Sequence, residues 1–128
     1  MATLDNLMSL PGALAAFEFR GSGELLNHLI GDDDLVSRET LDLLAHMCAA
    51  NMSIATMQAR GWEAVTDMTG FYPVREFTMV GYDWSVVASG LQREAPKAEG
   101  KDYLPPFLGV VLANESADYE AVFAALES

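Results

Sequence analysis

His46 and Cys48 are the residues of this chain whose side chains best suit metal binding or nucleophilic chemistry. A zinc or copper site needs several nitrogen, sulfur or carboxylate ligands that converge on one point. Residues two positions apart on a helix point to different sides of it. Asp42, four residues before His46, lies on the same side as His46. The spacing therefore favours an ordinary Asp–His contact over a metal site.

Cys48 is the one cysteine of the chain, so a disulfide within the chain is impossible. This cysteine usage suits a reducing cytosol. A nucleophilic thiol needs an adjacent base, and the sequence places none beside Cys48. The pattern favours Cys48 as a small residue in the core or in a subunit interface, and a redox accessory role stays open as an alternative.

Two further patterns resemble ligand sites without completing them. Asp32, Asp33 and Asp34 lack the alternating oxygen ligands and the final glutamate of a calcium loop, and they predict a solvated turn before a helix. Gly21 and Gly23 lack the lysine and the following helix of a phosphate-binding loop. No hydrolase or metalloprotease motif is present. The motifs therefore supply no candidate catalytic residues, and we expect no metal or cofactor.

The charge of the chain is strongly negative, at −12 from 19 acidic and 7 basic residues. Nucleic acid and anionic membranes repel such a surface, whereas a basic protein patch is a compatible partner. No apolar run approaches the ~18 residues that span a bilayer, and no secretory signal is visible. We expect one cytoplasmic domain, residues 1–128, without nucleic-acid binding or membrane insertion.

Apolar periodicity predicts the element order α-β-β-α-β-β-β-α. The continuous apolar strand at 107–113 is typical of a central strand. We therefore predict an α/β sandwich (α+β) with a five-stranded antiparallel sheet of order 2-1-5-4-3, a long helix on one face and the terminal helices on the other. The predicted bounds are 4–10, 13–20, 24–30, 36–60, 74–80, 84–89 and 107–113, with a polar loop at 92–102 and a last helix from Asn114 or Ser116.

The long helix, which we expect to end at Gly61, is apolar on nearly all sides. One apolar row is enough to pack a helix on a sheet, so a second row needs another cover. That cover is either a terminal helix or a second subunit. We favour a homodimer, because pairing of the third strand with its copy also protects an open sheet edge. The expected dimer interface consists of Met47, Cys48, Asn51, Ile54, Val74 and Phe77.

Residues 7–16 read Leu-Met-Ser-Leu-Pro-Gly-Ala-Leu-Ala-Ala, and residues 23–26 read Gly-Glu-Leu-Leu. This succession of a short leucine helix, a Pro-Gly stop, an apolar strand and a glycine turn resembles the roadblock/dynein light chain family, in a divergent prokaryotic branch. The turn at 21–23 reads Gly-Ser-Gly where the family often has Asp-Gly, and the segments 61–73 and 91–106 are longer than the family pattern.

The resemblance implies a dimer joined through the long helix and the third strand. It also implies a non-enzymatic adaptor that serves as a platform for a small GTPase, an ATPase or a multiprotein complex. Trp62, Phe71 and Tyr72 form a possible docking cluster in the segment after the long helix. A small-ligand sensor is an alternative, which an enclosed pocket near Trp62, Tyr72 and His28 would favour.

Overall fold

A single antiparallel sheet organises the chain in the computed structural model, which describes residues 2–89 and 106–127. The strand order is β2-β1-β5-β4-β3, so the predicted topology is confirmed. The polar loop predicted at 92–102 lies outside the described residues. The elements are α1 (Leu4–Met8), β1 (Ala13–Phe19), β2 (Leu25–Ile30), α2 (Arg38–Thr66), β3 (Glu76–Val80), β4 (Trp84–Ser89), β5 (Phe107–Ala113) and α3 (Tyr119–Glu127).

Helices cover both faces of the sheet, as the sequence predicts. On one face, Phe17 and Phe19 of β1 pack with Leu41 and Ala45 of α2. On the other face, buried residues of the central strands pack with α1 and α3. The alternation of side chains along β1 explains this division, because successive residues of a strand point to opposite faces. Within the described residues, no helix combines the length and the apolar character that crossing a bilayer requires.

Side chains at the helix starts satisfy backbone N–H groups that have no partner within the helix. Thr3 accepts a hydrogen bond from the Asn6 amide at 3.1 Å, and Ser37 accepts one from the Thr40 amide at 3.1 Å. Gly12 follows α1 with a φ of +80°, a conformation that glycine adopts at low cost. The short helix and its Pro-Gly stop therefore lead directly into β1.

The end of α2 differs from the prediction, since the helix continues through Gly61 to Thr66. A glycine within a helix costs only about 1 kcal/mol relative to alanine, which does not stop a helix of this length. The helix ends instead at Asp67, which has a φ of 58° and donates its N–H to the Glu63 carbonyl. Residues 61–66, which the sequence was expected to place after the helix, are therefore its last residues.

Several other boundaries lie inward of their predicted positions, including the starts of β3 and α3. β3 begins at Glu76 and not at residue 74. α3 begins at Tyr119, where Asp118 accepts a hydrogen bond from the Ala121 amide at 3.1 Å. Asn114 is not the cap of α3, because its side chain bonds to the turn between β3 and β4.

Gly109 and Phe17 form a tight contact in the middle of the sheet. They are paired across β1 and β5, and a Cβ added at Gly109 would overlap the ring carbons of Phe17. The Phe17 ring occupies the space above the glycine and is fully buried. This ring belongs to the core that packs beneath α2.

Candidate functional site

The side of α2 that faces away from the sheet carries an apolar surface, which we call the outer row: Leu43, Met47, Ala50, Ile54 and Met57. Leu43 is 73% exposed, Ile54 52% and Met57 72%. By contrast, Leu41, which lies two residues before Leu43, is 0% exposed. In one copy of the described chain, neither α1 nor α3 lies over the outer row, since both pack on the opposite face of the sheet.

The outer row follows the spacing of a helix–helix interface. Its successive members are alternately four and three residues apart, from Leu43 through Ile54 to Met57. This alternation is the pattern of positions a and d in helices that pack along their length. The buried row of Leu41, Ala45 and Cys48 has the same spacing and packs on the sheet, so the outer row is a continuous apolar surface that either a helix or a sheet can cover.

β3 forms an outer edge of the sheet next to α2. Among the described strands it pairs with β4 alone, and its residues Met79 and Val80 are exposed. Val74 and Phe77, both expected at the dimer interface, are partly buried at the start of this edge. An open edge presents unpaired backbone groups that can bind another strand.

Cys48 was predicted at the dimer interface, but the structure places it in the core of the subunit. Its side chain is 0% exposed and packs in the core between α2 and the sheet, so a second copy cannot contact it. Burial also raises the pKa of the thiol to about 12. Cys48 lies seven residues after Leu41, and this spacing already places both on the buried side of the helix.

The other residues expected on α2 lie beside the outer row or within it. Asn51 is partly buried and donates a hydrogen bond from its side chain to the Met47 carbonyl at 2.9 Å. Met47 itself is partly buried and packs against the core. Ile54 is the best exposed of the expected interface residues on the helix.

His46 contacts Asp42, but through the backbone of that residue. Its Nδ1 lies 2.8 Å from the Asp42 carbonyl oxygen. Throughout residues 2–89 and 106–127, no three His, Cys, Asp or Glu side chains come together to hold a metal ion. His46 thus has a local structural contact on the helix surface.

Trp62, Phe71 and Tyr72 lie near the end of α2 together with Arg60, and we call these four residues the aromatic cluster. The rings of Trp62 and Phe71 meet edge to face with centroids 5.8 Å apart. Arg60 lies 4.4 Å from the Tyr72 ring centroid and donates to the Tyr72 hydroxyl at 2.8 Å. The three aromatic residues are 41–50% exposed, so the cluster is a surface feature.

Glu63 fixes the chain segment that brings Phe71 back to α2. Its Oε2 accepts hydrogen bonds from the Gly70 amide at 2.7 Å and the Phe71 amide at 3.2 Å. Sequence reasoning missed Arg60 and Glu63 because their partners Tyr72, Gly70 and Phe71 lie 7 to 12 residues further along the chain, where no local pattern indicates the contact.

A groove of about 530 Å³ runs between α2 and residues 70–76, with Trp62 and Phe71 in its wall. Glu76 also lines it, and the Oε1 atom of Glu76 is buried with no hydrogen-bond partner among the described residues. His28 lies on β2, at the opposite edge of the sheet from β3, and neither His28 nor Tyr72 lines the groove. The pocket expected near Trp62, Tyr72 and His28 is therefore not formed by these three residues together.

Comparison with known proteins assigns the chain to a family. A family model described as "Uncharacterized conserved protein (DUF2173)" matches residues 3–93. The chain belongs to this DUF2173 family. A search of curated proteins gives no match.

Solved structures show the fold that this DUF2173 chain shares with roadblock domains. It resembles the Roadblock/LC7 domain from Streptomyces avermitilis with a TM-score of 0.70 at 10% identity, covering 96% of this chain and 83% of that one. For the gliding protein MglB from Thermus thermophilus, the TM-score is 0.56 at 18% identity, covering 97% and 85%. A structure titled "MglB with tetrameric arrangement" gives 0.66 at 18%, covering 95% and 75%. The roadblock-like fold expected from the leucine helix and Pro-Gly stop is thus confirmed.

Proposed function

We propose that this DUF2173 chain is a non-enzymatic adaptor that works as a homodimer. The observation that carries the proposal is the exposed outer row of α2 beside the open β3 edge. Both surfaces face outward in a single copy, and a twofold arrangement can cover both at once. Ile54, with Met47, Asn51, Val74 and Phe77 around it, forms the proposed interface.

Burial of the outer row would supply a substantial part of the dimer's stability. A large aliphatic side chain contributes about 1.5–3 kcal/mol when it moves from full exposure to full burial. Leu43, Ile54 and Met57 are each more than half exposed in one subunit. A twofold axis doubles the number of such side chains that become buried.

The partner of the dimer is proposed to be a small GTPase, an ATPase or a multiprotein assembly in the cytoplasm. The resemblance to roadblock proteins supports this class of partner. The charge of −12 supports a partner with a basic surface, and it disfavours nucleic acid and anionic membrane. The aromatic cluster of Arg60, Trp62, Phe71 and Tyr72 is a second surface available to such a partner.

The two alternative functions have weaker support. A redox role for Cys48 needs an accessible thiol with a low pKa, whereas this thiol is buried and its pKa is raised. The small-ligand alternative is supported by the groove beside α2, in which the Oε1 atom of Glu76 has no hydrogen-bond partner among the described residues. That groove adjoins Val74 and the proposed dimer interface, so subunit contact competes for the same surface.

The experiment is a measurement of mass in solution by sedimentation at micromolar concentration. We expect the wild-type protein to have twice its chain mass of 13.9 kDa. Ile54→Asp should give a monomer, because an unpaired charge buried in an interface costs about 3–5 kcal/mol. Ser22→Asp adds the same charge in the exposed turn between β1 and β2 and should remain dimeric.

Two results would contradict the proposal in different ways. A monomeric wild-type protein removes the dimer altogether. A dimer that survives Ile54→Asp shows that the two copies meet on another surface. Circular dichroism of each variant establishes whether the fold itself is intact.

A further inference from the structure

A second groove, of about 600 Å³, lies at the turn between β3 and β4 and is separate from the proposed dimer interface. We call it the hairpin groove, and it is formed mainly by Leu35, Tyr82, Asp83, Trp84 and Glu115. Tyr82 is fully exposed, and Leu35 and Trp84 are each about half exposed. Two aromatic rings and a leucine thus lie at the surface around one concavity.

The turn that carries Tyr82 is held in place by Asn114. The Asn114 side-chain amide donates to the Gly81 carbonyl at 2.8 Å and to the Tyr82 carbonyl at 3.1 Å. Its backbone N–H donates to the Asp83 carbonyl at 2.9 Å, and Gly81 donates to the Trp84 carbonyl at 2.8 Å. The exposed tyrosine therefore stands on a turn whose backbone is fixed.

Asn114 is itself held by the residues behind it. Its Oδ1 accepts a hydrogen bond from the Ser85 hydroxyl and another from the Tyr119 hydroxyl, the latter at 3.3 Å. Ser85 is buried, and Tyr119 belongs to α3. A surface that is already ordered loses little conformational freedom when it binds, which favours recognition.

The charge around the hairpin groove has one sign. Asp83 and Glu115 line it, and the acidic run at 32–34 comes directly before Leu35. Of the ion pairs formed between described residues, none involves these carboxylates. The other groove differs, since Arg75 lines its wall.

We infer that the hairpin groove binds a basic segment of a partner protein in which Arg or Lys side chains alternate with aliphatic ones. A cationic head can lie over the Trp84 or Tyr82 ring and pair with Asp83 or Glu115, while an aliphatic neighbour packs near Leu35. Phosphate-bearing partners are disfavoured by the same carboxylates. This inference rests on the proposed adaptor function, for which it names the chemistry of the partner.

The test uses Trp84 emission in the Trp62→Phe background, where Trp84 is the remaining tryptophan. The probe is a short synthetic peptide of alternating Arg and Leu. We expect saturable binding that weakens as salt is added. Tyr82→Ser, a change at a fully exposed side chain, should weaken binding by about tenfold, as for a central aromatic contact.

Two further peptides separate recognition from general attraction to an acidic protein. A peptide of alternating Arg and Ser has the same charge without aliphatic side chains and should bind more weakly than the Arg-Leu peptide. A peptide of alternating Glu and Leu should not bind. Equal binding of the Arg-Ser and Arg-Leu peptides, or unchanged binding by Tyr82→Ser, would overturn the inference.

The oligomeric state of each sample separates this inference from the proposed function. Ile54→Asp should bind the Arg-Leu peptide like the wild-type protein, because the hairpin groove lies within one subunit. If the protein is a dimer but does not bind the Arg-Leu peptide, the inference about the hairpin groove is wrong and the proposed dimer is unaffected. If the wild-type protein is a monomer and binds the peptide, the proposed dimer is wrong and the inference about the hairpin groove is supported.

Discussion

The two apolar rows of α2 have similar composition and opposite environments. Leu41, Ala45 and Cys48 lie against the sheet and are 0% exposed, whereas Leu43, Ile54 and Met57 face outward. The same helix therefore presents one surface that the sheet covers and one that the described part of the subunit leaves exposed. Hydrophobic composition does not distinguish the rows, since only position around the helix decides which one meets the sheet.

The difference separates residues needed for folding from residues available for assembly. Truncation of a buried side chain removes contacts and leaves a cavity in the subunit. Truncation of an outward side chain changes the subunit little and changes what can associate with it. The rows can therefore be tested independently with matched substitutions.

Leu41→Ala and Leu43→Ala form the sharpest pair for this comparison, and the largest effect is expected at Leu41. In the Ile54→Asp background, where unfolding is that of a single subunit, Leu41→Ala should lower the free energy of unfolding by about 2–5 kcal/mol. Leu43→Ala should change it by less than about 0.5 kcal/mol. Urea denaturation followed by circular dichroism measures both.

Similar losses at the two leucines would break the comparison, because they would mean that the subunit itself covers the outer row. In the wild-type background, Leu43→Ala should instead weaken dimerisation. Sedimentation across a dilution series detects that change.

The pH dependence of the unfolding free energy tests the burial of Cys48 in the row that faces the sheet. Burial raises its pKa from the usual 9.0 to about 12, so the folded protein keeps the thiol proton that the unfolded chain releases above pH 9. The stabilising contribution is complete below pH 9 and declines as the pH rises towards 12. The decline is at most about 1.4 kcal/mol per pH unit.

The measurement is the difference in unfolding free energy between the wild-type protein and Cys48→Ala at several alkaline pH values. Ionisation of tyrosine and lysine is common to both and cancels. The wild-type advantage should shrink with rising pH, whereas a constant difference would show that Cys48 is not desolvated in the folded state.

At the end of α2, substitution of Glu63 is expected to change stability less than the substitutions above. Glu63→Ala removes the acceptor for the Gly70 and Phe71 amides and should lower stability by about 0.5–1.5 kcal/mol. Hydrogen exchange at those two amides should accelerate. Glu63→Gln keeps an acceptor oxygen and should retain most of the protection, and equal exchange in both variants would argue against this role.

Much of the fold could be predicted because its elements are determined by patterns among neighbouring residues. Alternation in β1, the continuous apolar run of β5 and the Pro-Gly stop after α1 each depend on neighbouring residues. The order β2-β1-β5-β4-β3 follows once β5 is placed in the centre. The end of α2 was less predictable, because Gly61 is compatible with both a helix and its termination.

The candidate site was harder to predict than the fold. Cys48 was assigned to the interface on residue type, although its spacing from Leu41 places it in the core. The hydrogen bonds of Glu63 and Asn114 join segments separated in the chain, and no local pattern announces them. Tyr82 is informative only because the folded turn leaves it fully exposed.

Gly109 and Phe17 share one volume across neighbouring strands, so neither position can change freely without the other. Alanine or valine at the glycine position therefore requires either a displaced ring or a smaller residue at the phenylalanine position. A larger residue at position 109 is therefore expected to occur together with a smaller one at position 17.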